Sequence, residues 1–153
     1  MARASSPSFS IVDSELISVA RAVATRHQLY PELVCAVVEQ ESAWNPWAIR
    51  YEPAFRARYV AQLGLPATEE VARSTSWGLM QVMGQVARES GFNGKFLSEL
   101  CDPAAGLEIG CVVLARKLAF AEGNVTKALL LWNGGANPGY PAEVLARAVK
   151  YRT

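Results

Sequence analysis

Apolar residues in this chain recur at intervals of three and four, and nowhere alternate with period two over a run long enough for a real sheet. Helices are therefore the building material. Asp13 suits the N-cap of a first helix reaching about Gln28. Pro31 suits the first turn of a second, ending near Ser42 or Ala43 before Asn45-Pro46. A short helix is predicted over 53–63, stopped by Gly64 and Pro66, and another short turn starts at Thr68. Ser76-Trp77-Gly78 reads as a loop, followed by a helix broken at Gly84 and ended at Gly91. Asp102-Pro103 opens the longest helix, whose stripe is Leu107, Cys111, Leu114, Leu118 and Ala121. Gly123-Asn124 ends it, and Asn124 can cap a further helix through Trp132. After a loop over 134–139, a final helix carries Tyr140, Val144, Leu145 and Ala148 on one face. The expected fold class is all-α, a single domain over 1–153 with little or no sheet.

Charge and composition exclude much. Lys and Arg number 15 against 14 Asp and Glu, which gives no electrostatic case for nucleic acid or for a membrane surface. No stretch approaches the roughly 18–20 apolar residues of a membrane span. Residues 1–10 hold Arg3 with no apolar segment behind it, so no signal peptide is read. Three cysteines cannot all pair within the chain, none stands in a C-x-x-C, and His27 is the single histidine. No zinc-ligand set results, and neither a metal nor a cofactor is expected. Small buried thiols are favoured over a disulfide between Cys101 and Cys111. Any Ser-His or Cys-His mechanism would have to use His27, which follows Leu16, Ile17, Ala20, Val23 and Ala24 at helical spacing and reads as closing a core face.

One residue breaks the pattern. In the second helix Val34, Val37 and Val38 cluster within about 50° of a common direction, and Glu41 falls in that apolar stripe. Glu32, Glu39 and Gln40 lie on the opposite face, where charge belongs. Glu41 either reaches out to solvent from the last turn or is buried, and burial would raise its pKa and keep it protonated as a general acid. Cleavage of a glycosidic bond needs such a group, because the leaving oxygen must be protonated as the bond breaks.

Glu41-Ser42, Gly78-Leu79-Met80-Gln81, Trp132-Asn133-Gly134, and Tyr140 ahead of Val144-Leu145 occur in that order. Together they resemble the ordered motifs of soluble lytic transglycosylases, which share the lysozyme-like fold with goose-type lysozymes. The resemblance runs over about 31–149, and the Gly-Leu-Met-Gln tetrapeptide is its most selective piece. It implies that Glu41 is the catalytic acid and base and that Tyr140 contacts its carboxyl. It implies further that Ser42 orients the reacting groups, although the same hydroxyl suits a helix C-terminal cap. Met80 and Gln81 would line the sugar subsites while Leu79 is core, and Asn133 would bond an N-acetylated sugar. Leu131-Trp132-Asn133 stands where the family has Ala-Tyr-Asn, so Trp132 keeps an aromatic surface and loses the phenol. In the stretch 47–59, Tyr51 is expected in the groove, with Arg56 and Arg58 on a solvated face.

The family's chemistry implies peptidoglycan glycan strands as the partner and one working carboxyl. The substrate's N-acetyl group assists, the 6-hydroxyl of muramic acid attacks, and 1,6-anhydro-N-acetylmuramic acid leaves. Goose-type lysozymes carry further acidic residues near the tetrapeptide; here Met83 stands at one of those positions, and Glu69 and Glu70 are displaced from the other. That absence favours transglycosylation over a hydrolytic muramidase, for which Glu52, Glu69 and Glu70 are the second-carboxylate candidates. A non-catalytic peptidoglycan- or chitin-binding protein is the more distant alternative. The expected state is a monomer without stable membrane association, released to the cell wall in the manner of a phage endolysin.

Overall fold

The computed structural model describes residues 11–153, with side chains from residue 14 onward. Its α-helices are α1 (Ile11–Arg26), α2 (Pro31–Ser42), α3 (Pro53–Phe55), α4 (Ala67–Arg73), α5 (Gly84–Glu89), α6 (Pro103–Phe120), α7 (Val125–Trp132) and α8 (Tyr140–Ala148). Strands β1 (Ile49–Tyr51), β2 (Thr75–Trp77) and β3 (Val82–Met83) form a small antiparallel sheet in that order, with Ser76 facing Arg50 on one side and Met83 on the other. The helical class expected from the periodicity is the one observed. No described helix is long and apolar enough to cross a membrane.

Helix ends follow local chemistry. Asp13, expected as a cap, lies inside α1 because the helix already begins at Ile11, and its side chain is outside the described residues. The other end of α1 closes where Gln28 turns left-handed at φ 56°, which brings the Leu29 N–H to the Ala24 carbonyl at 2.9 Å. Asp102 caps α6 by accepting the Ala105 N–H at 3.0 Å, and Asn124 caps α7 through the Lys127 N–H at 2.9 Å.

Helix α2 is the organising element. Leu33 through Val38 are all buried, a run longer than one turn, so the helix is covered on more than the single apolar face. α1 packs on one side and α8 on another. Glu39 and Gln40 therefore do not look at open water: Arg147 and Lys150 of the α8 end ion-pair with Glu39, and Arg147 Nε donates to Gln40 at 2.7 Å. α6 packs against α1 and α7, with Leu107, Cys111 and Leu114 fully buried along the expected stripe. His27 does not close the core; it sits at the α1–α6 contact with Nε2 2.6 Å from Glu108 Oε1. In α8, Tyr140, Val144 and Ala148 are buried while Leu145 is turned partly outward. The three cysteines are free and buried, and burial pushes Cys35 up to about 11 and Cys111 up to about 12.

Two segments depart from their expected form. The tetrapeptide Gly78–Gln81 is not helical: it is the tight turn between β2 and β3, because Gly78 (φ 69°) and Gln81 (φ 52°) are both left-handed. A Cβ at Gly78 would lie 2.4 Å from the Leu100 carbonyl oxygen, so only glycine fits there. The segment 53–63 is helical in three different windings, with α3 followed by a π-helical turn (Arg56–Val60) and a 3-10 turn (Ala61–Leu63).

Candidate active site

The chain leaves α2 abruptly. Ala43 (φ 50°) and Trp44 (φ 65°) are both left-handed, a conformation that costs a non-glycine residue about 1–2 kcal/mol. Trp44 holds the turn in place: it is buried, and its indole N–H donates to the Tyr151 hydroxyl at 2.9 Å. Ser42 adds a second tie, its Oγ donating to the Leu79 carbonyl at 2.8 Å and lying 3.1 Å from the Val38 carbonyl. The Ser42 hydroxyl is thus spent on joining α2 to the β2–β3 turn. It is not among the residues lining the cleft described next, so any orienting role it has is exerted through the α2 end and the β2–β3 turn.

Glu41 occupies the last turn of α2 and opens onto a cleft of about 600 Å³. Its Oε1 accepts two hydrogen bonds, from the Tyr140 hydroxyl at 2.5 Å and from Trp132 Nε1 at 3.0 Å. α8 supplies the tyrosine from its first residue, and α7 supplies the tryptophan from its last. Burial raises the Glu41 pKa above the ordinary carboxylate value, while the Tyr140 and Trp132 hydrogen bonds and the Arg50 charge pull it partly back. Tyr140 is buried, and that burial together with the Glu41 charge pushes its phenol far above the usual tyrosine range. It remains an O–H donor wherever the carboxyl titrates.

The walls come from separate elements. Phe55 and Tyr59, with ring centroids 4.9 Å apart, form one aromatic side. Val113 and Lys117 of α6 lie on another, and burial lowers the Lys117 pKa. Trp132, Asn133 and Gly134 contribute from the α7 end. Strand alternation sorts the residues around β1: Arg50 and Glu52 face the cleft, whereas Ile49 and Tyr51 face away, beside Val71 and Trp77. Tyr51 is therefore not a groove residue.

Met80 is a further correction. It is fully buried, and the absence of a side chain at Gly110 of α6 makes room for it: a Cβ there would lie 2.2 Å from the Met80 sulfur. Gln81 does line the cleft, but its amide is used internally. Nε2 donates to the Ala48 and Gly78 carbonyls at 2.8 and 2.9 Å, and Oε1 accepts from Ser76 at 2.8 Å. Its role in this geometry is to hold the turn against the strand that carries Arg50.

A family model described as a transglycosylase SLT domain matches residues 18–148. The chain belongs to that family. No curated protein and no solved structure gives a significant match. SLT membership makes peptidoglycan the substrate, the cell wall the place of action, and lytic transglycosylation the general activity. The matched span contains every motif from Glu41-Ser42 to Tyr140, and the mostly helical SLT architecture agrees with the fold above.

Within this SLT domain the candidate second carboxylates separate clearly. Glu69 is held by Arg73 at 2.8 Å and Arg88 at 2.9 Å; burial pushes its pKa up, but the two guanidinium groups outweigh this and leave it low. Glu70 pairs with Arg56 at 3.2 Å, and neither residue lines the cleft. Glu52 does line it, ion-paired to Arg50 Nε at 2.8 Å, and Glu89 reaches it as an exposed side chain bonded by Gln85. Sequence reasoning missed Met83, Gln85, Glu89, Val113 and Lys117 as cleft residues. For Lys117 a signal was present, since a lysine one turn from the apolar stripe of a buried helix borders whatever that helix faces.

Proposed function

We propose that this SLT domain breaks the β-1,4 bond between N-acetylmuramic acid and N-acetylglucosamine, with Glu41 as both general acid and general base. In the first stage the protonated carboxyl gives its proton to the glycosidic oxygen as the bond from C1 breaks, and the N-acetyl oxygen of the muramic sugar stabilises the anomeric carbon. In the second, the carboxylate takes the proton of the 6-hydroxyl while O6 attacks C1. The ring closes as 1,6-anhydro-N-acetylmuramic acid, Glu41 is protonated again, and no water is consumed. Tyr140 acts through Glu41, stabilising the carboxylate formed between the stages. Trp132 and Asn133 line the sugar-binding cleft, with Phe55 and Tyr59 as a stacking surface opposite.

One observation carries this reading: a carboxyl in a partly apolar cleft, held by two donors on one oxygen, with burial keeping its proton to higher pH than an ordinary glutamate. Glu52 supports a second reading, hydrolysis by a muramidase, because it reaches the same cleft. Its commitment to Arg50 argues for the first. Mass spectrometry of soluble muropeptides after digestion of purified peptidoglycan separates the two. Fragments one water lighter than hydrolysis products, without a reducible end, are expected; hydrated, reducible fragments would assign the domain to hydrolysis.

A further inference from the structure

Trp132 stands where the family motif has tyrosine, and its indole touches the reacting carboxyl rather than only offering a ring to sugar. An indole N–H can donate but never accept. Oε1 of Glu41 has two acceptor sites, and Trp132 and Tyr140 fill both. A proton on that oxygen would point a donor at the Trp132 indole N–H, which has no lone pair to accept it, although the Tyr140 hydroxyl could turn and accept. Among the described residues nothing bonds Oε2, and it is not among the buried unpaired atoms, so it is open to the cleft.

We propose that Trp132 is a positioning residue: with Tyr140 it occupies Oε1 of Glu41 and so reserves Oε2 as the oxygen that carries and transfers the proton. This deepens the function proposed above and rests on it for its catalytic meaning. Tyrosine at this position would present a hydroxyl that can turn and accept. The tryptophan cannot, and it fixes the carboxyl in one orientation in both protonation states. The other charged or titratable groups facing the site are Arg50 and Glu52 around β1, Tyr59 of the π-helical turn, Glu89 of α5 and Lys117 of α6, and Tyr140 of α8 is the remaining contact. None of them replaces a donor-only contact on Oε1.

The test uses the wild-type protein first. Four tryptophans give four indole N–H resonances. Trp44 donates to Tyr151, Trp77 donates to the Ala72 carbonyl, and Trp47 is exposed. The Trp132 resonance alone should therefore follow the titration of the Glu41 carboxyl carbon, and should stop doing so in Glu41→Gln. In Trp132→Phe the carboxylate loses a donor, so the protonated form persists to higher pH. The alkaline limb of the kcat profile then moves up by roughly one pH unit. kcat falls while KM changes little, and Trp132→Tyr brings the limb back toward wild type.

An indole signal indifferent to Glu41 would overturn the proposal, as would a Trp132→Phe enzyme with raised KM and an unmoved limb. The latter would leave Trp132 as a sugar-stacking surface only. If the wild type releases no muropeptides, the function reading fails instead, while the indole titration still decides the role of Trp132. The same titration decides it if Trp132→Phe does not fold.

Discussion

Replacing Glu41 by glutamine removes a transferable proton and almost nothing else. The glutamine carbonyl oxygen can occupy the place of Oε1 and still accept from the Tyr140 hydroxyl and the Trp132 indole, which lie 2.5 and 3.0 Å away in the wild type. The amide nitrogen takes the place of Oε2 facing the cleft, with no new volume. Stability should change by less than about 1 kcal/mol, as for a substitution that keeps shape and partners. The chemistry should not survive. Positioned acid–base assistance is worth on the order of 10²–10⁴ in rate, which is about 2.7–5.4 kcal/mol of barrier. Because the same carboxyl is asked to act twice, as acid and then as base, the upper part of that range is expected. The assay is release of soluble muropeptides from purified peptidoglycan, with circular dichroism and a urea titration on the same samples to confirm the fold. Retention of more than about a tenth of wild-type activity by a folded Glu41→Gln protein would refute the argument and move the search for the acid to Glu52.

Glu41 also predicts a pH dependence of stability. Its pKa is raised in the folded state, chiefly by burial, so its contribution is fully present below the unfolded carboxylate pKa and is lost as pH rises through the folded one. The thermal midpoint of Glu41→Gln relative to wild type should accordingly become more favourable between about pH 4 and about pH 8, measured by calorimetry; a constant difference would contradict the buried-carboxyl assignment. Glu52→Gln should keep activity within about tenfold and still yield anhydro products, whereas a loss beyond about 100-fold would identify Glu52 as a second working carboxylate. Gly78→Ala should be markedly more destabilising than Gly64→Ala. Both glycines are left-handed, at 69° and 67°, but only Gly78 faces backbone at 2.4 Å, while Gly64 has nothing within 4 Å. Strain alone accounts for about 1–2 kcal/mol, so equal costs in urea unfolding would show that the close approach to Leu100 is irrelevant.

Legibility varied with the range of the interaction that decides each residue. Glu41 could be found because a charged residue on an apolar helical stripe is a local contradiction, visible within eight positions of sequence. The cap at Asp102 and the cap at Asn124 are equally local. The sheet was not legible, since strands of three and two residues are too short to display alternation. Leu79, Met80 and Met83 mimic helical spacing, and what makes the segment a turn is the left-handed pair Gly78 and Gln81. Met80 was placed in the groove because the family motif includes it, yet its burial depends on a glycine thirty positions away in α6. Tyr51 was misassigned for want of the strand: once β1 exists, alternation sends Arg50 to the cleft and its neighbour outward. Trp132 was expected only as a surface because its hydrogen bond joins two helices 91 residues apart in sequence.

The π-helical turn at Arg56–Val60 has an evolutionary side. A π turn is an α-helix carrying one extra residue, and this one lies directly after Phe55 and includes Tyr59, the two rings that make the aromatic side of the cleft. Loss of a single residue there would let the segment relax to an ordinary α-helix and swing the position of Tyr59 by about 100° around the axis. The Glu41 end of α2, clamped between other helices, would be untouched. One wall of the binding cleft can thus be gained or lost by a one-codon length change, leaving Glu41 in place to meet a differently shaped substrate.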